Sequence, residues 1–269
     1  MIHKYKMNNY NIVLDCNSGA VHVVDDITYD ILDFYKSCNL DEIKEKLSDR
    51  YDINLIEESY NEVKELEKEG MLFTEDDYEE VLKFVNNRKP VIKALCLHIA
   101  HDCNLKCKYC FAEEGEYKGK RSLMSLEVGK KAIDFIIENS GNRKNLEIDF
   151  FGGEPLMNFN VVKEIVKYGR EREKETGKNF RFTITTNGVL LDDEKLDFIN
   201  KNMHNLVLSI DGRKEVNDKM RLSANGKGSY DIIVPKFKKA AESRNQQNYY
   251  VRGTFTRENL DFGEDILHL

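Results

Sequence analysis

Ile92-Lys93-Ala94-Leu95-Cys96-Leu97-His98-Ile99-Ala100-His101-Asp102-Cys103-Asn104-Leu105-Lys106-Cys107-Lys108-Tyr109-Cys110-Phe111 is an apolar, strand-forming run that ends in three cysteines within eight residues. The run predicts a strand over 92–99 and a loop carrying the cysteines. Strand-then-helix patterning repeats after it: a helix over 126–139, then strand and helix at 146–151 and 161–175, at 180–185 and 193–200, at 206–210 and 230–241, and a last strand over 249–256. Mostly apolar strands alternating with helices predict a parallel sheet covered by helices, a barrel or part of one. In such folds the chemistry sits in loops at the C-terminal ends of the strands.

The chain N-terminal to this pattern is different. At 269 residues the protein has the length of about two domains. Hydrophobic residues at 41% and charged residues at 33% exclude a mainly disordered chain. No stretch has the roughly 18 apolar residues of a membrane helix, and Met1 to Lys6 lacks a signal peptide's apolar region. The expectation is a cytoplasmic protein with no membrane partner. Residues 1–88 carry 10 Lys and Arg against 21 Asp and Glu, net −11, whereas 89–269 carry 31 against 27, net +4. The first part reads as strands at 3–5, 10–15 and 21–24, then helices over 27–35 capped by Asp26, from Asn39 or Asp41 to Leu47, and from Asn54 to Glu69. That order is winged-helix-like, which raises a DNA-binding regulator, but so acidic a surface repels phosphate. A basic partner, and no DNA, is the expectation. Charged residues 75–90 form the connection, with the domain boundary near 88.

The six cysteines stand at 16, 38, 96, 103, 107 and 110. In a reducing compartment, the Cys103, Cys107, Cys110 cluster points to metal or catalysis rather than disulfides. Three thiolates can hold a four-iron cluster with one iron left open; the alternative is zinc with His101 or His98 as a fourth ligand. The other strand ends carry Gly152-Gly153-Glu154-Pro155, Thr186-Asn187-Gly188, Ser209-Ile210-Asp211-Gly212 followed by Asp218-Lys219-Met220-Arg221, and Arg252 on the last strand. The glycines permit close backbone approach, a carboxylate can meet a cation or a hydroxyl, and a guanidinium can meet an anion.

The C-x3-C-x2-C triplet and these loops, in this order, resemble the radical S-adenosylmethionine (SAM) enzymes over roughly residues 92–256. The resemblance implies a partial (β/α)6 TIM-type barrel, a [4Fe-4S] cluster on Cys103, Cys107 and Cys110, and SAM at the open iron. It implies SAM contacts from Gly152, Gly153, Glu154 and Pro155 to the amino group, from Thr186 and Asn187 beside the cofactor, and from Ser209, Asp211 and Arg221 to the ribose and carboxylate. Arg252 is a second candidate for the carboxylate. Tyr109 and Phe111 would pack near adenine or bury the cluster.

Residues 1–88 are similar to a PqqD-like peptide-recognition domain, which implies a precursor peptide whose leader adds beside the third strand and lies on the third helix. There Glu57, Glu58, Glu62 and Glu65 would meet a Lys-bearing leader. The run 93–103 together with this domain resembles the clostridial maturases of SCIFF peptides. Those install thioether bridges, Cys sulfur to carbon, after hydrogen abstraction by a 5′-deoxyadenosyl radical, with electrons from a flavodoxin or ferredoxin. Such maturases continue into a SPASM domain whose cysteines hold auxiliary [4Fe-4S] clusters; no cysteine follows Cys110 here, so the expectation is a chain truncated before the sixth strand and that domain. Alternatives are carbon–carbon crosslinking, formylglycine formation, and an iron–sulfur transcription regulator.

Overall fold

The computed structural model describes residues 1–76, 78–86 and 90–269. Two compact units result, Met1–Lys89 and Pro90–Leu269; the expected boundary at residue 88 lies outside the described residues. Among the described residues no helix is long and apolar enough to cross a membrane.

In the first unit β1 (Ile2–Met7), β2 (Tyr10–Asp15) and β3 (Val21–Val24) form an antiparallel sheet in that order. The chain continues into α1 (Asp26–Ile31), α2 (Leu40–Leu47), α3 (Ile53–Lys68) and α4 (Tyr78–Asn86). Val13 on β2 packs with Ile31, Ile43, Ile56 and Val63 from the helices. Asn39 and Glu42 form a reciprocal capping box on α2. The caps of the other two differ from expectation: Asp25, not Asp26, accepts from Thr28 N, and Asp52, not Asn54, caps α3. An N-cap must keep extended backbone while its side chain reaches back, so it falls one step before the first helical residue.

The second unit contains β4 (Ala94–His101), β5 (Leu105–Cys107), β6 (Ser122–Leu123), α5 (Leu126–Asn139), β7 (Asn145–Gly152), α6 (Phe159–Thr176), β8 (Asn179–Thr186) and α7 (Asp193–Asn202). It ends with β9 (Asn205–Ser209), α8 (Lys214–Met220), β10 (Arg221–Ser223), α9 (Tyr230–Ser243), β11 (Tyr249–Arg252) and α10 (Phe262–His268). The main sheet runs β11-β9-β8-β7-β4-β6, parallel except for β6. Alternate residues such as Ile99, Ile148, Phe150, Phe182, Ile184 and Leu208 are buried against helix residues including Ile133, Val162, Ile165, Ile199 and Ile233. The helix side of the strands is thus uniformly apolar, whereas the other face carries Cys96, His98, Asp149, Thr183 and Thr185 beside Phe151. β11 stops at Arg252 rather than continuing to 256, because Gly253 passes the Ile210 carbonyl at a distance where a Cβ would come within 2.9 Å and Thr254 N turns to donate to Asp211 at 3.1 Å.

Asp15 is fully buried and ties the β2–β3 turn to the segment after α3. Its carboxylate accepts from the N–H groups of Asn17 (3.0 Å), Ser18 (3.1 Å) and Thr74 (3.0 Å), and from the Thr74 hydroxyl. Burial pushes its pKa up, but these hydrogen bonds outweigh it and hold the group well below the usual carboxylate range. A lowered folded pKa contributes stability that is present above the unfolded value near 4 and lost as pH falls below it. Asp15→Asn is expected to remove about 1–3 kcal/mol from this unit at neutral pH, read as faster hydrogen exchange in 10–24, with the difference from wild type shrinking toward pH 3. An equal difference at both pH values would contradict this.

Candidate functional site

The cysteine loop has little regular structure, so its shape comes from what holds it. At its start the Asp102 carboxylate accepts from Cys103 N at 2.9 Å. In its middle, β5 pairs antiparallel with β10, setting Cys107 opposite Arg221, and Lys108 N donates to Met220 O at 3.0 Å. Cys110 N returns to Cys107 O at 3.0 Å. Asn187 Nδ2 lies 3.7 Å from Cys103 Sγ and donates to Asn104 Oδ1 at 2.8 Å.

Cys103, Cys107 and Cys110 all face one cavity of about 330 Å³. Of the other residues expected at the site, Tyr109, Phe111, Gly152, Gly153, Asn187, Ser209, Arg221 and Arg252 line it. Phe111 does so at its rim, 74% exposed.

Four expected contacts do not reach the cavity wall. Glu154 is fully buried; its carboxylate accepts from Leu156 N (2.9 Å), the Thr186 hydroxyl (2.8 Å) and Asn187 N (2.8 Å). It therefore braces the β7 loop against the β8 loop, and Thr186 is occupied in the same bond. Pro155 starts the short turn behind it. Asp211, 3% exposed, accepts from the Tyr109 hydroxyl at 2.7 and 2.9 Å as well as from Thr254 N. Conversely Thr185, Phe151 and Thr254 line the cavity unanticipated. Strand alternation from buried Phe150 and Ile184 was the signal for the first two.

Tyr109, Asp211 and Arg221 form one latch. Arg221 Nη1 donates to the Tyr109 hydroxyl at 2.6 Å and lies 3.5 Å from Asp211 Oδ1. Burial pushes the Tyr109 phenol well up, with Arg221 opposing and Asp211 reinforcing, so it stays protonated and donates. Arg221 is 8% exposed, yet its Nε has no partner.

The donors fit an iron–sulfur cluster with an anionic ligand. Burial drives the Cys103 thiol up to about 12, and Cys107 upward against the pull of Arg221. Thiolates here need a compensating metal cation. Among the described residues no three His, Cys, Asp or Glu donors converge on a single ion, which does not suit a mononuclear zinc site. Thiols spread around a cavity suit a polynuclear cluster in which each takes a different iron. His98 and His101 pack against the Tyr117 ring at 4.5 and 4.8 Å. The orphaned Arg221 Nε supplies a donor for a carboxylate at the same cavity.

Gly152 and Gly153 serve backbone contact within the protein. A Cβ on Gly152 (φ +123°) would stand 2.5 Å from Ala100 O, and one on Gly153 would stand 2.1 Å from Asp102 O. Gly153→Ala is expected to push the β7 loop off the start of the cysteine loop and cut iron bound after anaerobic reconstitution by more than about half, since backbone oxygens cannot yield as side chains do. Unchanged iron content would show that the contact does not shape the loop.

A family model for the radical SAM superfamily matches residues 97–266. The chain is 28% identical over 190 residues to the radical SAM cyclopropyl synthase TigE of Paramaledivibacter caminithermalis, covering 65% of this chain and 38% of that protein. It is 30% identical over 141 residues to the cysteine-type anaerobic sulfatase-maturating enzyme of Clostridium novyi, covering 51% of this chain and 37% of the relative. The chain thus spans less than half the length of these curated relatives. Among solved structures, anSMEcpe with bound AdoMet superposes with a TM-score of 0.58 at 20% identity, over 66% of this chain and 48% of that one, which shows a shared fold. The family match takes in the cysteine triplet, the glycine loop and Arg221 and extends over more than half of the sequence: this protein belongs to the radical SAM superfamily.

Proposed function

We propose that the chain is the recognition unit and catalytic barrel of a radical SAM maturase that installs thioether crosslinks, Cys sulfur to carbon, in a ribosomally made Cys-rich peptide. The observation that carries the enzymatic part is the cavity lined by three half-buried thiols and by Arg221, whose guanidinium Nε has no partner. Cys103, Cys107 and Cys110 would hold a [4Fe-4S] cluster, and Arg221 the carboxylate of SAM. When bound, the pair supplies a 5′-deoxyadenosyl radical for hydrogen abstraction. The protein's own part is to fix the loop through Tyr109 and Asp211, to keep Arg221 charged, and to surround the site with apolar walls such as Leu105 and Phe151 that exclude water.

The peptide part rests on the first unit, read as a PqqD-like domain of winged-helix type. β3 is an outer strand of its sheet, as is β1, and Val21 and Val23 are 63% and 66% exposed. Asp15 N bonds to Ala20 O, so by the alternation of antiparallel pairs the N–H groups of Val21 and Val23 point away from β2. A leader strand can add there. On α3, Glu58, Glu62 and Glu65 are exposed, while Glu57 is paired with Lys44. This acidic face favours a Lys-bearing leader and disfavours DNA, against the regulator reading. Similarity to a sulfatase-maturating enzyme favours formylglycine formation as the second reading. The products separate the two: a thioether keeps the sulfur and loses two hydrogens, whereas formylglycine made from cysteine loses the sulfur.

After anaerobic reconstitution with iron and sulfide, the chain is expected to bind about four irons and to release 5′-deoxyadenosine from SAM with a strong reductant. Cys103→Ala, Cys107→Ala and Cys110→Ala should each abolish both. SAM cleavage surviving in the triple variant contradicts the assignment. Val23→Pro removes one outward N–H without touching the ladder to β2 and should weaken leader binding by roughly fivefold or more; unchanged affinity counts against strand addition.

A further inference from the structure

A second cavity of about 650 Å³ lies on the same face of the sheet, toward the N-terminal ends of the strands. Barrel interiors are filled mainly by branched apolar side chains, yet here one row across four strands is polar. Cys96 pairs with Asp149, Asp149 with Thr183, and Thr183 with Asn205, and all four line this cavity. Asp149 Oδ1 is buried and accepts no hydrogen bond. Burial raises its pKa to about 6, against a Thr185 hydrogen bond and the charge of Arg252, so at neutral pH it is an ionised carboxylate served by Thr185 but with Oδ1 left without a donor.

The next row holds the complement. His98 pairs with Phe151, and the Tyr117 ring closes over His98 and His101 while meeting Phe111 at the rim of the cysteine cavity, 5.9 Å between centroids. The Tyr117 hydroxyl is also buried without a partner. Cys96 lies within electrostatic reach of both Tyr117 and Asp149. A buried donor and a buried acceptor, each left unmade, are costly to keep. One planar group bearing an N–H and a C=O satisfies both.

We propose that Asp149 and Tyr117 form a subsite for one backbone peptide group of the substrate, Asp149 accepting its N–H and Tyr117 donating to its carbonyl oxygen. The proposal rests on the reading that the substrate is a peptide. It places the segment to be modified across the inner face of β4 and β7, beside the cysteine cavity. Recognition of a main-chain group there holds the chain in register without reading its side chains.

The test is a binding titration by saturation-transfer NMR of the reconstituted full chain with the reduced, capped pentapeptide acetyl-Gly-Thr-Cys-Thr-Gly-amide. Asp149→Leu and Tyr117→Phe are each expected to weaken binding by roughly fivefold. The double variant should lose less than the product of the two, because both contacts serve one group. Tyr117→Phe removes a single oxygen, so it decides the matter even where Asp149→Leu perturbs the sheet. No saturable binding by wild type, no loss in Tyr117→Phe, or fully multiplicative losses each overturn the subsite. SAM cleavage measured in parallel keeps the two readings apart: its absence, with peptide binding intact and sensitive to both substitutions, refutes the radical SAM activity and supports the subsite.

Discussion

The three-residue ladder between β5 and β10 is the constraint on which the site depends. It sets Cys107 directly opposite Arg221, so the loop that would hold iron and the guanidinium that would hold a carboxylate are positioned by the same backbone bonds. Tyr109 then reaches Asp211 at the end of β9, and Gly153 lets the β7 loop close on Asp102. Each tie joins the cysteine loop to a different strand end. A loop fixed by a separate antiparallel ladder to β10 and at two further points to the ends of the parallel sheet has a preset shape that its own sequence, short and irregular, does not supply.

Burial works in the same direction. The Cys103 and Cys107 thiols, Glu154 and Arg221 all lie where charge is poorly solvated. Glu154 is answered by three protein donors and Arg221 in part by Tyr109 and Asp211, whereas the Cys103 thiol has weak contacts with Leu105 N, Asn104 and Asn187 and Cys107 the nearby charge of Arg221. Cationic iron and an anionic ligand would complete the charge balance of the site, which is the electrostatic logic of a cluster site.

The strand–helix alternation and the cysteine triplet were legible because each has a period or a spacing that carries its own signal. Which loop residues face the cavity was only partly legible. Glu154 and Asp211 are acidic groups at strand ends, as expected, but sequence spacing places a residue on a loop without saying which way it points. Their partners, Asn187 and Tyr109, are far away along the chain. Thr185 and Thr186 show the same limit: adjacent residues on opposite faces, of which Thr186 bonds Glu154 and Thr185 lines the cavity. The β5–β10 ladder is too short to leave a period at all.

The central claim is that Cys103, Cys107 and Cys110 share one iron cluster in the cavity beside Arg221. Anomalous diffraction at the iron edge from crystals of the anaerobically reconstituted chain tests it most directly. The account predicts a single multi-iron peak bounded by those three sulfurs, with Arg221 Nε facing its open side when SAM is present. A lone metal ion held by one of the cysteines and His98 or His101, or iron bound elsewhere, would contradict it.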